Sequence, residues 1–337
     1  MTDSTHVLVR APALPGTFRL RIARFLACYA MIAACIPYLI FKIVWLSGST
    51  VGTVGHGAAE MGDMKHVVGN VITVGMDLVA VIVALAFTYR WGQRIPVWLV
   101  LVPIWVGTGL LAPIALGAPL GVLVQMFTGG SPVPAHNGLK GWVYSIIYGG
   151  FTLQAIMLLV AFVLYARTRW AGLFGARTKD LPVPTTRPHL ASLANSAAVV
   201  AVGYGVMQIA WVLSDGGLGG DPAAVQTVTQ KTFWAVQGLL CFAGAIGLLA
   251  LVHRWGTGRI VLPLVTAWVG TGVIFASGPA GVALASGTAP AGIVVFVLGA
   301  VTGLLMGTAG IRLLIEHRQN RPMPQHASMV AACADRN

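Results

Sequence analysis

Charged residues punctuate this chain and do not populate it. No Asp, Glu, Lys or Arg occurs between Arg94 and Lys140, or between Arg259 and Arg312, and most other charges sit at the ends of long apolar runs. Several runs exceed the roughly 20 residues that a helix needs to cross a bilayer. They are continuous and not alternating, so they predict helices and not the strands of a membrane barrel. The pattern predicts eight spans, at about 25–47, 66–89, 96–116, 142–165, 191–213, 233–252, 260–280 and 291–315. The first run is too long for a signal peptide and lacks a small-residue cleavage site, so it reads as the first span.

Composition agrees: the 337 residues are 57% hydrophobic and 9% charged. A soluble domain carries about a quarter charged residues. The fold class is therefore all-α and polytopic, in a membrane. The net charge of +12 does not imply nucleic acid, because the basic residues flank spans, where they set topology. Of 21 Lys and Arg, 17 fall in the N-terminal tail, the even-numbered loops and the C-terminal tail. The positive-inside rule then places both termini in the cytoplasm, in the cell membrane.

The chain repeats itself. YRWGQR followed by IWVGTG (Tyr89 to Gly109) returns as HRWGTGR followed by AWVGTG (His253 to Gly272). Upstream, Tyr38, Lys42, Trp45 and Ser47 match Tyr204, Gln208, Trp211 and Ser214. Two motifs in one order and near one offset, about 165 residues, indicate duplication. Four spans per half is an even number, so the halves share orientation and form a parallel repeat. This divides the chain into a first repeat (1–165), a basic cytoplasmic linker (166–190), a second repeat (191–316) and a polar tail (317–337). The Gly and Thr of WVGTG also suit close helix packing. Cys28, Cys35 and Cys241 fall in spans and Cys333 in the tail, with no CxxC or disulfide framework.

Only nine Asp and Glu occur, and acids in or beside spans need a reason. Asp77 falls within the second span. Glu60, Asp63, Asp215 and Asp221 fall at the outer ends of spans 1/2 and 5/6. If 57–89 is helical, Asp63, Asn70 and Asp77 recur every seven residues on one face, and Glu60 joins them. Such a stripe faces a bundle interior, where Lys42 of the first span can pair with it; Asn70 and Asp77 form a possible proton relay, or simply bond helices together. Tyr38, Trp45, Tyr204, Trp211, Phe233 and Trp234 lie near the outer thirds of their spans. They serve either as an interfacial aromatic belt or as cavity walls that attract cations.

The spacing His56-x3-Glu60-x2-Asp63-x2-His66 is compatible with metal ligation, but Gly55, Gly57 and Gly62 break the helix it needs, and no metal site is expected. No Walker lysine loop, dinucleotide glycine set, nucleophile elbow, haem motif or aspartate-rich diphosphate motif occurs, so no cofactor is expected.

In the placement of Glu60 and Asp215 the chain resembles bacterial integral-membrane terpene cyclases of indole sesquiterpenoid biosynthesis (the drimentine and xiamycin type). Fungal meroterpenoid membrane cyclases likewise rely on a glutamate and an aspartate from separate loops. The Y-x3-K-x2-W-x-S-G pattern of Tyr38 to Gly48 is also similar to that of uncharacterised actinobacterial multi-pass proteins.

The first resemblance implies metal-independent cyclisation of a farnesylated indole or indole diketopiperazine that enters from the bilayer. Glu60 would be the general acid, kept protonated by an apolar site, with Asp63 tuning it or relaying protons from the outer surface. Asp215 would steady the carbocation or take the final proton. Tyr38, Lys42, Trp45, Tyr204, Gln208, Trp211, Phe233 and Trp234 would line the substrate site. The residues leave two alternatives open: a proton-coupled small-molecule transporter, which Asp77 suits, and a non-catalytic membrane scaffold or partner protein.

Overall fold

The fold is seen in a computed structural model that describes residues 15–55, 57, 63–131, 134, 138–181, 188–284 and 289–319. Nine α-helices are formed among these: α1 Pro15–Leu46, α2 Met64–Thr88, α3 Val97–Thr128, α4 Gly141–Arg169, α5 Ala171–Gly175, α6 Pro188–Leu213, α7 Val228–Val252, α8 Val261–Leu284 and α9 Pro290–Gln319. All but α5 are long and apolar enough to cross a membrane. The described residues contain no strand, only two isolated bridges, Thr53 with Leu139 and Arg177 with Arg259. The protein is thus an all-helical, multi-pass membrane protein with eight candidate spans. Helix is the expected solution, because hydrocarbon offers no partner for an unpaired backbone N–H or C=O.

Two boundaries differ from the sequence expectation. Helix α2 begins at Met64, after a non-helical Asp63 (φ −67°, ψ 142°), so the expected helix over 57–89 is not continuous through Asp63. Helix α3 runs on to Thr128, well past the expected end near residue 116. Its second half carries Gly117, Gly121 and two prolines, yet it stays helical because it packs on other helices.

The chain divides into two compact units. One comprises described residues within 1–103 and 138–169, the other those within 104–137 and 170–337. In the first unit α1 packs on α2 and α4, and α2 packs on α4. In the second, α6 packs on α7, α7 on α8, α8 on α9, and α9 back on α6, which closes a ring of four helices. Most of α3, from Ile104 on, belongs to this second unit, although its sequence motif belongs to the first half.

Glycines in both copies of the repeated motif explain that membership. A Cβ on Gly109 would lie 2.1 Å from the Gly272 carbonyl oxygen, and one on Gly272 would lie 2.8 Å from the Trp105 carbonyl oxygen. The Trp105 indole N–H donates to Thr271 Oγ1 at 3.1 Å, and Trp105 stacks on Phe275 with centroids 4.9 Å apart. Gly117 and Gly121 meet the backbones of Phe233 and Thr229 in the same way. The two WVGTG segments are therefore packed directly on each other, backbone to backbone, as small-residue helix contacts in membranes require.

Each unit has one end latched by arginines. In the first unit Arg169 donates to the carbonyls of Gly92 (3.3 Å) and Ile95 (3.0 Å) and to the Tyr165 hydroxyl. Arg24 donates to the Leu164 carbonyl (2.8 Å) and to Thr168 Oγ1 (2.6 Å). In the second unit residues 176–179 of the linker lie against the second RWG loop. Thr178 N–H donates to the Gly258 carbonyl at 3.0 Å, Ile260 N–H donates to Ala176 at 3.1 Å, and Arg254 donates to the Lys179 carbonyl. The described part of the linker, through Leu181, is thus built into the fold.

The α3–α8 contact generates a stability prediction. Gly109→Ala places a methyl group inside Gly272's carbonyl radius, and overpacking of this kind costs about 1–3 kcal/mol. The melting temperature of the purified variant should fall by several degrees, whereas Gly107→Ala, where an added Cβ meets nothing within 4 Å, should leave it unchanged.

Candidate functional site

The first unit holds a ladder of polar side chains inside its three helices. Lys42 of α1 donates from Nζ to Asn70 Oδ1 of α2 at 2.6 Å. One level deeper, Gln154 of α4 donates from Nε2 to Asp77 Oδ1 of α2 at 3.2 Å. All four residues are buried. Asp77 is the central residue of the candidate span His66–Thr88, so its carboxyl lies near mid-membrane depth. Asn70 and Asp77 are seven residues apart and share a face of α2. That face meets Lys42 from one neighbouring helix and Gln154 from the other.

Aromatic groups complete the outer level. The Lys42 ammonium lies 4.7 Å from the Tyr38 ring centroid and 5.4 Å from that of Trp45, within the range where a ring face attracts a cation. Tyr38 is fixed by an edge contact with Phe151, 4.7 Å between centroids. The Trp45 indole N–H is used elsewhere, donating to the Val51 carbonyl at 2.9 Å. Above it the loop after α1 is tied to the start of α4, with Val54 N–H donating to Gly138 (2.9 Å) and Lys140 N–H to Gly52 (2.8 Å).

The ladder has an open valence. Asp77 Oδ2 is buried and has no hydrogen-bond partner among the described residues. Nor does any described carboxylate lie within ion-pair distance of Lys42. The Lys42 and Asp77 charges interact electrostatically, and the other titratable groups that feel Asp77 are Cys35 and Tyr38 of α1. A carboxyl with one oxygen held and one free, next to a lysine with no acid of its own, can take up or release a proton.

The corresponding positions of the second unit are built differently. Tyr204 bonds Ser277 Oγ through its hydroxyl at 2.8 Å, and Gly299 lies under its ring, where a Cβ would come within 2.6 Å. Gln208, the counterpart of Lys42, is fully buried. Its amide lies beside the Tyr204 hydroxyl, but neither amide atom makes a hydrogen bond of normal geometry. Trp211 sits edge-on to Trp234 (5.9 Å) and to Phe296 (5.4 Å), and Phe233 is edge-on to Trp234 (6.1 Å). These rings pack against one another. The Trp211 and Trp234 indoles donate to the carbonyls of Leu218 (3.3 Å) and Ala224 (3.1 Å), and so hold the outer loop in place.

Asp215 is on that outer loop, and its surroundings are not those of an acid facing an apolar chamber. Its side chain is 73% exposed and pairs with Lys231 at 2.5 Å. Its backbone is left-handed (φ 53°), like that of Gly48 (φ 87°) at the matching exit of α1. Aspartate is among the few non-glycine residues that visit this region readily. The left-handed helix exit thus accounts for Asp215 standing where the first half has Gly48.

Asp63 is likewise exposed, at the N-terminal boundary of α2 and without a side-chain capping bond. It therefore leaves the stripe that its spacing predicts. Glu60 and His56 lie outside the described residues, so the meeting of Glu60 with Asp215, and the four-residue metal spacing, are not described. Among the described residues no group of three His, Cys, Asp or Glu side chains is placed to hold a metal. Gln154 was not singled out from the sequence. A lone Gln in an apolar run gives no signal until its helix is placed against Asp77.

Asn70→Leu should remove the only oxygen among the described residues that accepts from Lys42 and leave the ammonium buried. Losing such a partner costs about 1–3 kcal/mol, so thermal unfolding should show a clear drop. Asp215→Gly should lose only a surface ion pair, worth about 0–1 kcal/mol, and gain in left-handed freedom, so its melting temperature should match the wild type.

No protein-family model matches the chain, and no curated protein and no solved structure is found to be similar to it.

Proposed function

We propose that this protein is a proton-coupled small-molecule transporter of the membrane, with Asp77 as its protonation site. The observation that carries this reading is the half-satisfied carboxyl: Asp77 at the centre of a span, held by Gln154 through one oxygen and unpartnered at the other. Ionisable groups at this depth are expensive, and their usual uses are ion pathways and proton relays. A carboxyl with no proton work to do would be cheaper as asparagine. Lys42, Asn70 and Thr73, with Tyr38, form polar steps from the outer end of α1 and α2 towards it. Gln154 acts as a positioning residue, fixing the carboxyl plane so that the free oxygen keeps one direction.

The cyclase reading stands second. It draws support from the resemblance carried by Glu60 and Asp215 and from the ring cluster Trp211, Trp234 and Phe296. What weighs against it is that Asp215 is exposed and ion-paired, whereas an acid meant to steady a carbocation works in a dry site.

Infrared difference spectra of the protein in lipid, taken between acid and alkaline pH, test the first reading. A protonated-carboxyl stretch should titrate, vanish in Asp77→Asn, and move to higher frequency in Gln154→Leu, where the carboxyl loses its donor. Spectra with no such band, or a band that survives Asp77→Asn, would overturn it. The second reading predicts that membranes containing the protein cyclise a farnesylated indole and that Glu60→Gln and Asp215→Asn each abolish the product. Unchanged substrate with wild-type membranes would dispose of it.

A further inference from the structure

Resting on the proton reading of Asp77, we propose that the transported partner of the proton is a small monoanion, a carboxylate being the simplest, and that it is held by Lys42. Lys42 and Asp77 are the only Asp, Glu, Lys or Arg residues in the membrane-crossing parts of α1 after Arg24, of α2 from His66 to Thr88, and of α4 before Arg167. Charge balance in this three-helix unit therefore depends on two groups. With Asp77 ionised, its charge and that of Lys42 sum to zero. With Asp77 protonated, Lys42 is left as an uncompensated buried cation. An anion beside Lys42 restores neutrality. Lys42 and Asp77 are not in ion-pair contact, but their charges feel each other, and a buried charge without compensation is unfavourable, so the proton and the anion favour each other's presence.

The geometry around Lys42 fits such a guest. One Nζ proton is given to Asn70 Oδ1, a neutral amide oxygen. The ring faces of Tyr38 and Trp45, at 4.7 and 5.4 Å, hold the ammonium in place, and no described carboxylate is in ion-pair range. An ammonium carries three donors, so donors remain for an anion's oxygens. The second unit has Gln208 at the matching position, with no charge to compensate, so the anion site belongs to the first unit alone. In the balance, Asp77 carboxylate plus one proton gives the neutral acid, and one monoanion enters with that proton. No net charge is moved and no bond other than the O–H is formed.

The test uses the full chain in lipid nanodiscs, weakly buffered with a pH-indicating dye. Acetate and benzoate are the probes, with benzylamine and benzyl alcohol as the cationic and neutral counterparts. Addition of acetate or benzoate should drive uptake of about one proton per protein, by the reciprocity of linked binding. Benzylamine and benzyl alcohol should drive none. Lys42→Gln should lower the anion affinity by at least about tenfold, as should Asn70→Asp, which gives Lys42 a tethered carboxylate in place of the guest. Asn70→Asp retains the helix contact and serves if Lys42→Gln fails to accumulate.

The proposal is overturned if neither anion drives uptake in the wild type. It is also overturned if benzylamine does so, or if Asn70→Asp responds as the wild type does. An absent Asp77 infrared band would instead remove the proton reading and this proposal with it. A present band with no anion response would remove this proposal alone.

Discussion

Hydrocarbon cannot accept or donate a hydrogen bond, and the organisation of the first unit follows from that constraint. Lys42, Asn70, Asp77 and Gln154 come from three helices. Each would face an uncompensated polar group if its helix turned or slid by a residue. The Lys42–Asn70 bond at 2.6 Å fixes α1 against α2, and the Gln154–Asp77 bond at 3.2 Å fixes α4 against α2. Apolar side chains alone would not select these registers, because lipid tails are as apolar as the helix faces. The polar ladder thus specifies packing and creates the open Asp77 oxygen by the same contacts.

The second unit solves the same problem by size and not by polarity. Gly205 and Gly238, Gly244 and Gly270, and Gly109 and Gly272 bring backbones into direct contact. Dispersion between closely packed backbones replaces hydrogen bonds between side chains. Where the first unit keeps a lysine, this unit keeps a fully buried glutamine beside Tyr204. One unit thus carries charged groups between its helices, and the other is closely packed.

Some expectations drawn from residue spacing were overruled by local backbone chemistry. Asp63 keeps the seven-residue interval to Asn70, but its own backbone is extended (φ −67°, ψ 142°), and it lies exposed at the helix boundary. Asp215 looked like a partner for chemistry, yet it takes the left-handed exit position that Gly48 takes in the first half, and it pairs with Lys231. Conversely Gln154 carried no signal, because a single polar residue in an apolar run is meaningful only when its neighbour across the helix interface is known.

The sequence by itself determined the membrane environment, the eight helical spans and the repeated motifs, because bilayer thickness and backbone satisfaction act on composition and run length alone. It also showed that Asn70 and Asp77 share a face of one helix, which is a matter of 3.6 residues per turn. Only the tertiary structure decided which helix each polar group meets. It put Lys42 on Asn70 and Gln154 on Asp77, and it carried α3 from Ile104 onward into the unit that also holds Gly272. These choices rest on contacts between residues far apart in the chain, where hydrogen-bond geometry and the absence of a Cβ set the fit.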